Sequence, residues 1–269
     1  YVDCFAERVP NPPALAQLVS DRNTGVGSDG LILICPSRVA DARMEMYNMD
    51  GSRGQMCGNG IRCVGKYVYD HGLSKANPLR IETDAGVLSL DLTIEAEKVS
   101  QLRANLGEPR LRPGDLPVLL KPSEMIGHPI ELLGQEAYLT CVSMGNPHAV
   151  VHGLPLALLG PRELEAEGRR LETHAMFPER TNVHFAEVNG PGEVSMVTWE
   201  RGSGATAACG TGASAVCVAG VLTKRNDRRV TVHLPGGDLL IEWPEADNHV
   251  YMTGPAVEIF SGDWPAVPA

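Results

Sequence analysis

The 269-residue sequence predicts an α+β fold of two pseudo-symmetric domains, each a mostly antiparallel β-sheet or barrel wrapped around a central helix. Three observations carry that expectation. A Cys-Gly-x-Gly segment occurs twice, as Cys57-Gly58-Asn59-Gly60 and as Cys209-Gly210-Thr211-Gly212. A run of alternating apolar and polar residues closes ten residues before each cysteine, at Tyr47 and at Trp199. A glycine break within later strand-like sequence follows at nearly the same distance, Gly86 lying 29 residues after Cys57 and Gly237 lying 28 after Cys209. The length suffices for two domains that each bury a core.

The elements follow in order. Tyr1 to Phe5 reads as a strand, and Asn11 before Pro12-Pro13-Ala14-Leu15 reads as a helix N-cap with proline at the first helical position. Met44 to Tyr47 is a half-buried strand by its period of two, and the glycine-rich Asp50–Gly54 turns the chain toward Cys57. Ile61, Val64 and Val68 recur at helical spacing, with His71-Gly72 as the stop. Leu79 to Leu92 then reads as two strands broken at Ala85-Gly86. In the second half, Val194 to Trp199 is the matching strand and Arg201–Gly204 the matching loop. Gly212 to Leu222 is apolar or small on every side, as in a helix buried all round. Val230 to Trp243 is broken at Pro235-Gly236-Gly237.

A linker at Gly107-Glu108-Pro109 and an exit at Gly254-Pro255 give domains of 1–107 plus 255–269 and of 108–254, with the active site expected in the cleft between them. The tail Ala256–Phe260 reads as a strand returning to the first domain. Asn146 lies 63 residues before Cys209, whereas 56 residues precede Cys57, so a first-half counterpart of the Gly145-Asn146 loop is expected upstream of Tyr1.

Composition narrows the function classes. A net charge of −10 excludes nucleic acid and anionic membrane as main partners, which a basic surface would serve. No apolar run reaches the roughly 18–20 residues of a membrane span. Lys224, Arg225, Arg228 and Arg229 are interrupted by Asp227 and read as a solvated helix end or loop. Seven cysteines, an odd and sparse count, suit free thiols in the cytoplasm. Cys4, Cys35, Cys63, Cys141 and Cys217 read as buried apolar filler. The spacings Cys57–Cys63 and Cys209–Cys217 are neither those of zinc sites nor those of redox pairs, so no metal is expected. Gly25-Val26-Gly27 and Gly202-Ser203-Gly204 read as structural turns rather than nucleotide loops.

Two cysteines, one from each half, suit proton transfer at carbon. Removing an α-proton without a cofactor needs a base on one face of the carbon, an acid on the other, and stabilisation of the carboxylate as charge develops. A thiol of pKa about 8.5 gives up or returns a proton near neutrality, and a helix N-terminus favours its thiolate. The backbone N–H groups after Cys57 and Cys209 lack helical partners, and the glycines let a carboxylate approach them.

Five segments, in order, resemble diaminopimelate epimerase: Tyr47-Asn48-Met49-Asp50-Gly51-Ser52, Gln55-Met56-Cys57-Gly58-Asn59-Gly60-Ile61-Arg62-Cys63, Met144-Gly145-Asn146-Pro147-His148, Thr181-Asn182-Val183, and Glu200-Arg201-Gly202-Ser203-Gly204 continuing to Ala208-Cys209-Gly210-Thr211-Gly212. The resemblance implies interconversion of LL- and meso-diaminopimelate in lysine and peptidoglycan precursor synthesis, with no cofactor and no metal. It implies Cys57 and Cys209 as the acid/base pair and Gly58, Asn59, Gly210 and Thr211 as holders of the reacting carboxylate. Asn48, Asn146, Asn182, Glu200 and Arg201 would fix the rest of the substrate, with His148, expected in a loop, as an auxiliary group. The family's opening Gly-x-Gly-Asn-Asp loop has no match in the sequence, so a binding remnant of impaired activity is one alternative. A proline or 4-hydroxyproline racemase is another, although those enzymes typically carry histidine where Asn59 stands. A thiol redox or metal-storage protein is a third and leaves Gly145-Asn146-Pro147-His148 unexplained. The sequence leaves a homodimer open.

Overall fold

Alternating burial along the strands and all-round burial of one helix organise the structure, a computed structural model that describes residues 1–54 and 56–265. Gln55 of the Cys57 segment and residues 266–269 of the first expected domain lie outside the described residues. The chain divides into two compact units, Tyr1–Ala104 with the chain from Gly254 onward, and Asn105–Thr253.

The first unit runs β1 (Val2–Asp3), α1 (Pro12–Ser20), β2 (Gly30–Cys35), β3 (Ala42–Asn48), β4 (Arg53–Gly54), α2 (Gly58–Asp70), β5 (Leu79–Thr83), β6 (Gly86–Glu95) and β7 (Lys98–Asn105). The strands hydrogen-bond in the order β1-β2-β3-β5-β6-β7, with β4 folded back on β3. The pairs β1/β2 and β3/β5 are parallel and the others antiparallel. Asn11 caps α1 by accepting the Ala14 N–H, and Leu15, Ala16 and Val19 bury against Leu31, Leu33 and Tyr47. The opposite face of β2 and β3 meets α2, where a Cβ on Gly60 would stand 2.5 Å from Ile32 Cδ1 and 3.3 Å from Met44 Cε. Further along α2, Gly65 packs against Leu79, Leu90 and Leu102, so β2, β3, β5, β6 and β7 all wrap this helix.

The second unit opens with β8 (His128–Leu132) and β9 (Gln135–Ser143) and then repeats the first unit's order of elements. It continues β10 (Pro147–His152), α3 (Pro161–Glu172), β11 (Asn182–Gly190), β12 (Glu193–Glu200), β13 (Gly204–Thr206), α4 (Gly210–Leu222), β14 (Arg229–Leu234), β15 (Gly237–Glu242) and β16 (Tyr251–Pro255). The parallel pairs β10/β11 and β12/β14 match β1/β2 and β3/β5, and the β12/β13 hairpin matches β3/β4. Every residue of α4 from Gly210 to Gly220 is buried, and β9, β10, β11, β14 and β15 surround it. β10 is covered on both faces, since its residues are buried without alternation from His148 to His152. Alternation in β11 sends Val183 and Phe185 toward the core that contains Leu171 of α3, while the His184 ring faces α4. No helix among the described residues is long and apolar enough to cross a membrane.

Two sequence expectations need correction. The tail Ala256–Phe260 is not a strand: regular pairing ends with β16 at Pro255, and Val257, Ile259 and Phe260 are exposed. Among the described residues no strand lies beside its alternating pattern to complete a ladder. The helix expected from Gly212 begins two residues earlier, because the cysteine before it is the N-cap.

Phe185 is fully buried, so Phe185→Ala should cost about 3–5 kcal/mol, read as a lowered urea midpoint at unchanged slope. The second unit also buries three histidines. Burial pulls His152 down to about 4, with the Arg225 cation adding to it, and pulls His184 down to about 3. Burial, then repulsion from His184 whenever that ring is charged and from the Arg201 cation, puts His148 well below the usual imidazole range. Below pH about 6.5 the unfolded chain binds protons that these rings do not. Stability is therefore full above that pH and falls as pH drops toward the folded values, at about 1 kcal/mol per pH unit for each histidine. Equal denaturation midpoints at pH 7 and pH 5 would contradict this.

Candidate active site

The two cysteines occupy equivalent local positions. Cys57 caps α2 with φ −129° and ψ 119°, and Cys209 caps α4 with φ −128° and ψ 106°. A cysteine is an unusual N-cap, but its sulfur does what a serine oxygen does: Cys57 Sγ accepts the Gly60 N–H at 3.3 Å. Cys209 Sγ lies 3.7 Å from Thr211 Oγ1. Cys57 is half-buried and Cys209 buried. A sulfur at this position sits at the positive end of the helix dipole, which favours its anionic form. The hairpin before each cysteine delivers it there. Gly51 (φ +85°), Gly202 (φ +79°) and Gly204 (φ +82°) adopt the left-handed conformation that lets β3 and β12 fold back into β4 and β13.

Around Cys57, Arg62 fixes the first turn of α2. Its guanidinium is buried and donates to Gly58 O at 3.1 Å, Asn59 Oδ1 at 3.2 Å and Pro255 O at 3.4 Å. Burial lowers its pKa, opposed by attraction to the thiols of Cys63 and Cys57. Ser214, five residues after Cys209 as Arg62 is after Cys57, donates to Gly210 O at 3.0 Å. Asn48 donates to Ser52 Oγ at 2.9 Å within the β3/β4 turn.

In the second unit, a set of side chains holds the segments that carry Asn146, Glu200 and Arg201. Asn182 is buried; its oxygen accepts the Arg201 backbone N–H at 3.0 Å and its amide donates to Pro147 O at 2.9 Å. Glu172 accepts from Trp199 Nε1 at 2.8 Å and from the Gly202 N–H at 3.1 Å. Glu200 accepts from Thr206 Oγ1 at 2.5 Å, and the exposed Arg201 guanidinium donates to Glu179 O at 3.2 Å. Gly210, Thr211 and Gly212 form the buried opening of α4.

His148 is not in a loop. It is the second residue of β10 and fully buried, after Pro147, which takes the strand's first position, where a missing N–H is tolerated. Its Nε2 is 2.9 Å from Asn146 Oδ1 and its Nδ1 is 2.8 Å from His184 Nε2. His184 Nδ1 in turn lies 3.0 Å from Thr198 Oγ1. Sequence reading passed over Arg62, His184, Thr198 and Glu172. The signals present were that Arg62 stands within the Cys57 segment and that His184 follows Asn182 by two, on the same face of a strand. No group of three or more metal-ligating side chains occurs among the described residues.

The sequence model for diaminopimelate epimerase matches residues 1–111 and 140–259. A diaminopimelate epimerase from Acetivibrio thermocellus is 50% identical over 263 residues, covering 98% of this chain and 93% of that protein. One from Desulfitobacterium hafniense is 51% identical over 265 residues, covering 97% and 92%. Among solved structures, a hydroxyproline epimerase from Agrobacterium vitis, with trans-4-hydroxy-L-proline bound, superposes with a TM-score of 0.65 at 17% identity, over 91% of this chain and 78% of that one. That likeness is one of fold. A cysteine-capped helix in each unit, set in a sequence that is about half identical to these relatives nearly from end to end, places the chain in the diaminopimelate epimerase family.

Proposed function

We propose that the chain interconverts LL- and meso-2,6-diaminopimelate by two-thiol proton transfer, with Cys57 and Cys209 as the proton-transfer groups. The observation that supports this most directly is the pair of cysteine N-caps with near-identical backbone geometry, in a member of this family. The thiolate of one cysteine takes the α-proton and becomes a thiol. The other thiol gives its proton to the opposite face of the carbon and becomes a thiolate. No net charge is gained or lost, and each turnover leaves the two sulfurs with exchanged protonation.

The reacting carboxylate is met by N–H groups at the helix openings, at Gly58 and Asn59 on α2 and at Gly210 and Thr211 on α4. These donors are fixed in place before charge develops, which is what makes such groups effective. Asn48, Asn146, Asn182, Glu200 and Arg201 hold the remainder of the substrate. Of these, Asn182 also acts through Arg201, whose backbone N–H it accepts. The free thiols of Cys4, Cys35, Cys63, Cys141 and Cys217 suit a reducing cytoplasm, where lysine and peptidoglycan precursors are made.

Epimerisation of LL-diaminopimelate in deuterium oxide with a thiol reductant tests this reading. The expected outcome is deuterium at the α-carbon, with Cys57→Ser and Cys209→Ser each slowed by about 100-fold or more. Wild-type protein that exchanges neither diaminopimelate nor proline would sink the two-thiol reading, and exchange of proline alone would replace the substrate.

A further inference from the structure

The chain of contacts from Asn146 to Thr198 has only one arrangement of protons when both histidines are neutral. Asn146 Oδ1 can only accept, so His148 Nε2 carries the proton between them. A neutral His148 then presents a lone pair at Nδ1, which must accept from His184 Nε2–H. His184 is left with a lone pair at Nδ1, and the Thr198 hydroxyl supplies the proton there. His148, His184 and Thr198 are buried, so no solvent competes for the two bonds among them. The His184 ring is also wedged in place: a Cβ on Gly212 would stand 2.3 Å from its Cε1, so the ring lies flush against the first turn of α4.

We propose that His184 is a positioning residue for the reaction. Held by Thr198 and seated against Gly212, it fixes the Nε2–H tautomer of His148, and His148 in turn pins the Asn146 carbonyl so that the Asn146 NH2 faces the substrate. The inference rests on the proposed reading only in taking Asn146 to touch the substrate. The relay ties the turn that follows Cys209 to the Asn146 segment, so two binding elements of the second unit share one buried ring. A core histidine that merely fills space needs neither a defined tautomer nor a hydroxyl partner.

Long-range proton–nitrogen correlation on protein labelled with nitrogen-15 histidine reads the tautomers without substrate. His148 and His184 should both be Nε2-protonated, and Thr198→Val should abolish the defined tautomer of His184. Kinetically, Thr198→Val should raise KM for diaminopimelate about tenfold, with kcat changed by less than about threefold, because a remote binding contact is weakened. Thr198→Ser, which keeps the hydroxyl, should recover most of that loss. An Nδ1-protonated or doubly protonated His148 overturns the inference. So does a Thr198→Val enzyme with unchanged KM, or equal damage from Val and Ser. Absence of epimerisation by wild type would count against the proposed function, and the tautomer measurement would still decide the relay.

Discussion

A helix that begins in the interior has first-turn backbone N–H groups that no carbonyl of its own can serve, and the two helix openings of this molecule are built around that constraint. Both α2 and α4 begin this way, with buried glycines in their first turns. A sulfur serves one of these donors at the N-cap of α2, where Cys57 Sγ accepts the Gly60 N–H. The glycines are needed because the openings are crowded: at Gly60 a side chain would meet Ile32, and at Gly212 it would meet His184. Strands wrap each helix, with its cysteine as the N-cap.

The strand–hairpin–helix unit that performs this delivery is used twice, with the same parallel crossover from β3 to β5 and from β12 to β14. Each crossover carries its own cysteine on a short tether, from the hairpin turn to the helix cap. Sheet geometry fixes the turn, the turn fixes the cap, and the cap fixes the sulfur. The same logic explains Glu172, a carboxylate buried in the second unit. By accepting from Trp199 and from Gly202 it ties α3 to the β12/β13 turn, and with it Glu200 and Arg201.

Much of this was legible in sequence because it depends on local rules. The paired Cys-Gly-x-Gly frames, the glycine breaks and the period-two runs located both helices and most of their strands, and Asn11 caps α1 as its proline neighbours suggested. What sequence misjudged depends on partners distant along the chain. His148 read as a loop residue since proline and glycine precede it, and only pairing with β9 and β11 makes it a buried strand residue. The Ala256–Phe260 run has strand composition but no ladder to join. His184 offered only its place two residues after Asn182 and Thr198 offered nothing local, because their role lies in a cross-strand pair, Thr198 standing opposite His184 in the β11/β12 register.

Repetition of one frame does not make its two copies chemically equal. At the fifth position after each cysteine, the first unit places a buried guanidinium and the second a serine hydroxyl, and both close on the carbonyl of the helix's first residue. The shared bond stiffens either opening in the same way. The guanidinium adds a charge that attracts the Cys57 sulfur and an extra bond that fixes Asn59, whereas the serine adds neither. In the proposed two-thiol reaction only one sulfur is the base at a time, so unequal surroundings at the two sulfurs suit it. A doubled fold supplies matched N-cap positions for the two sulfurs, and the residues five positions further on give those positions unequal surroundings.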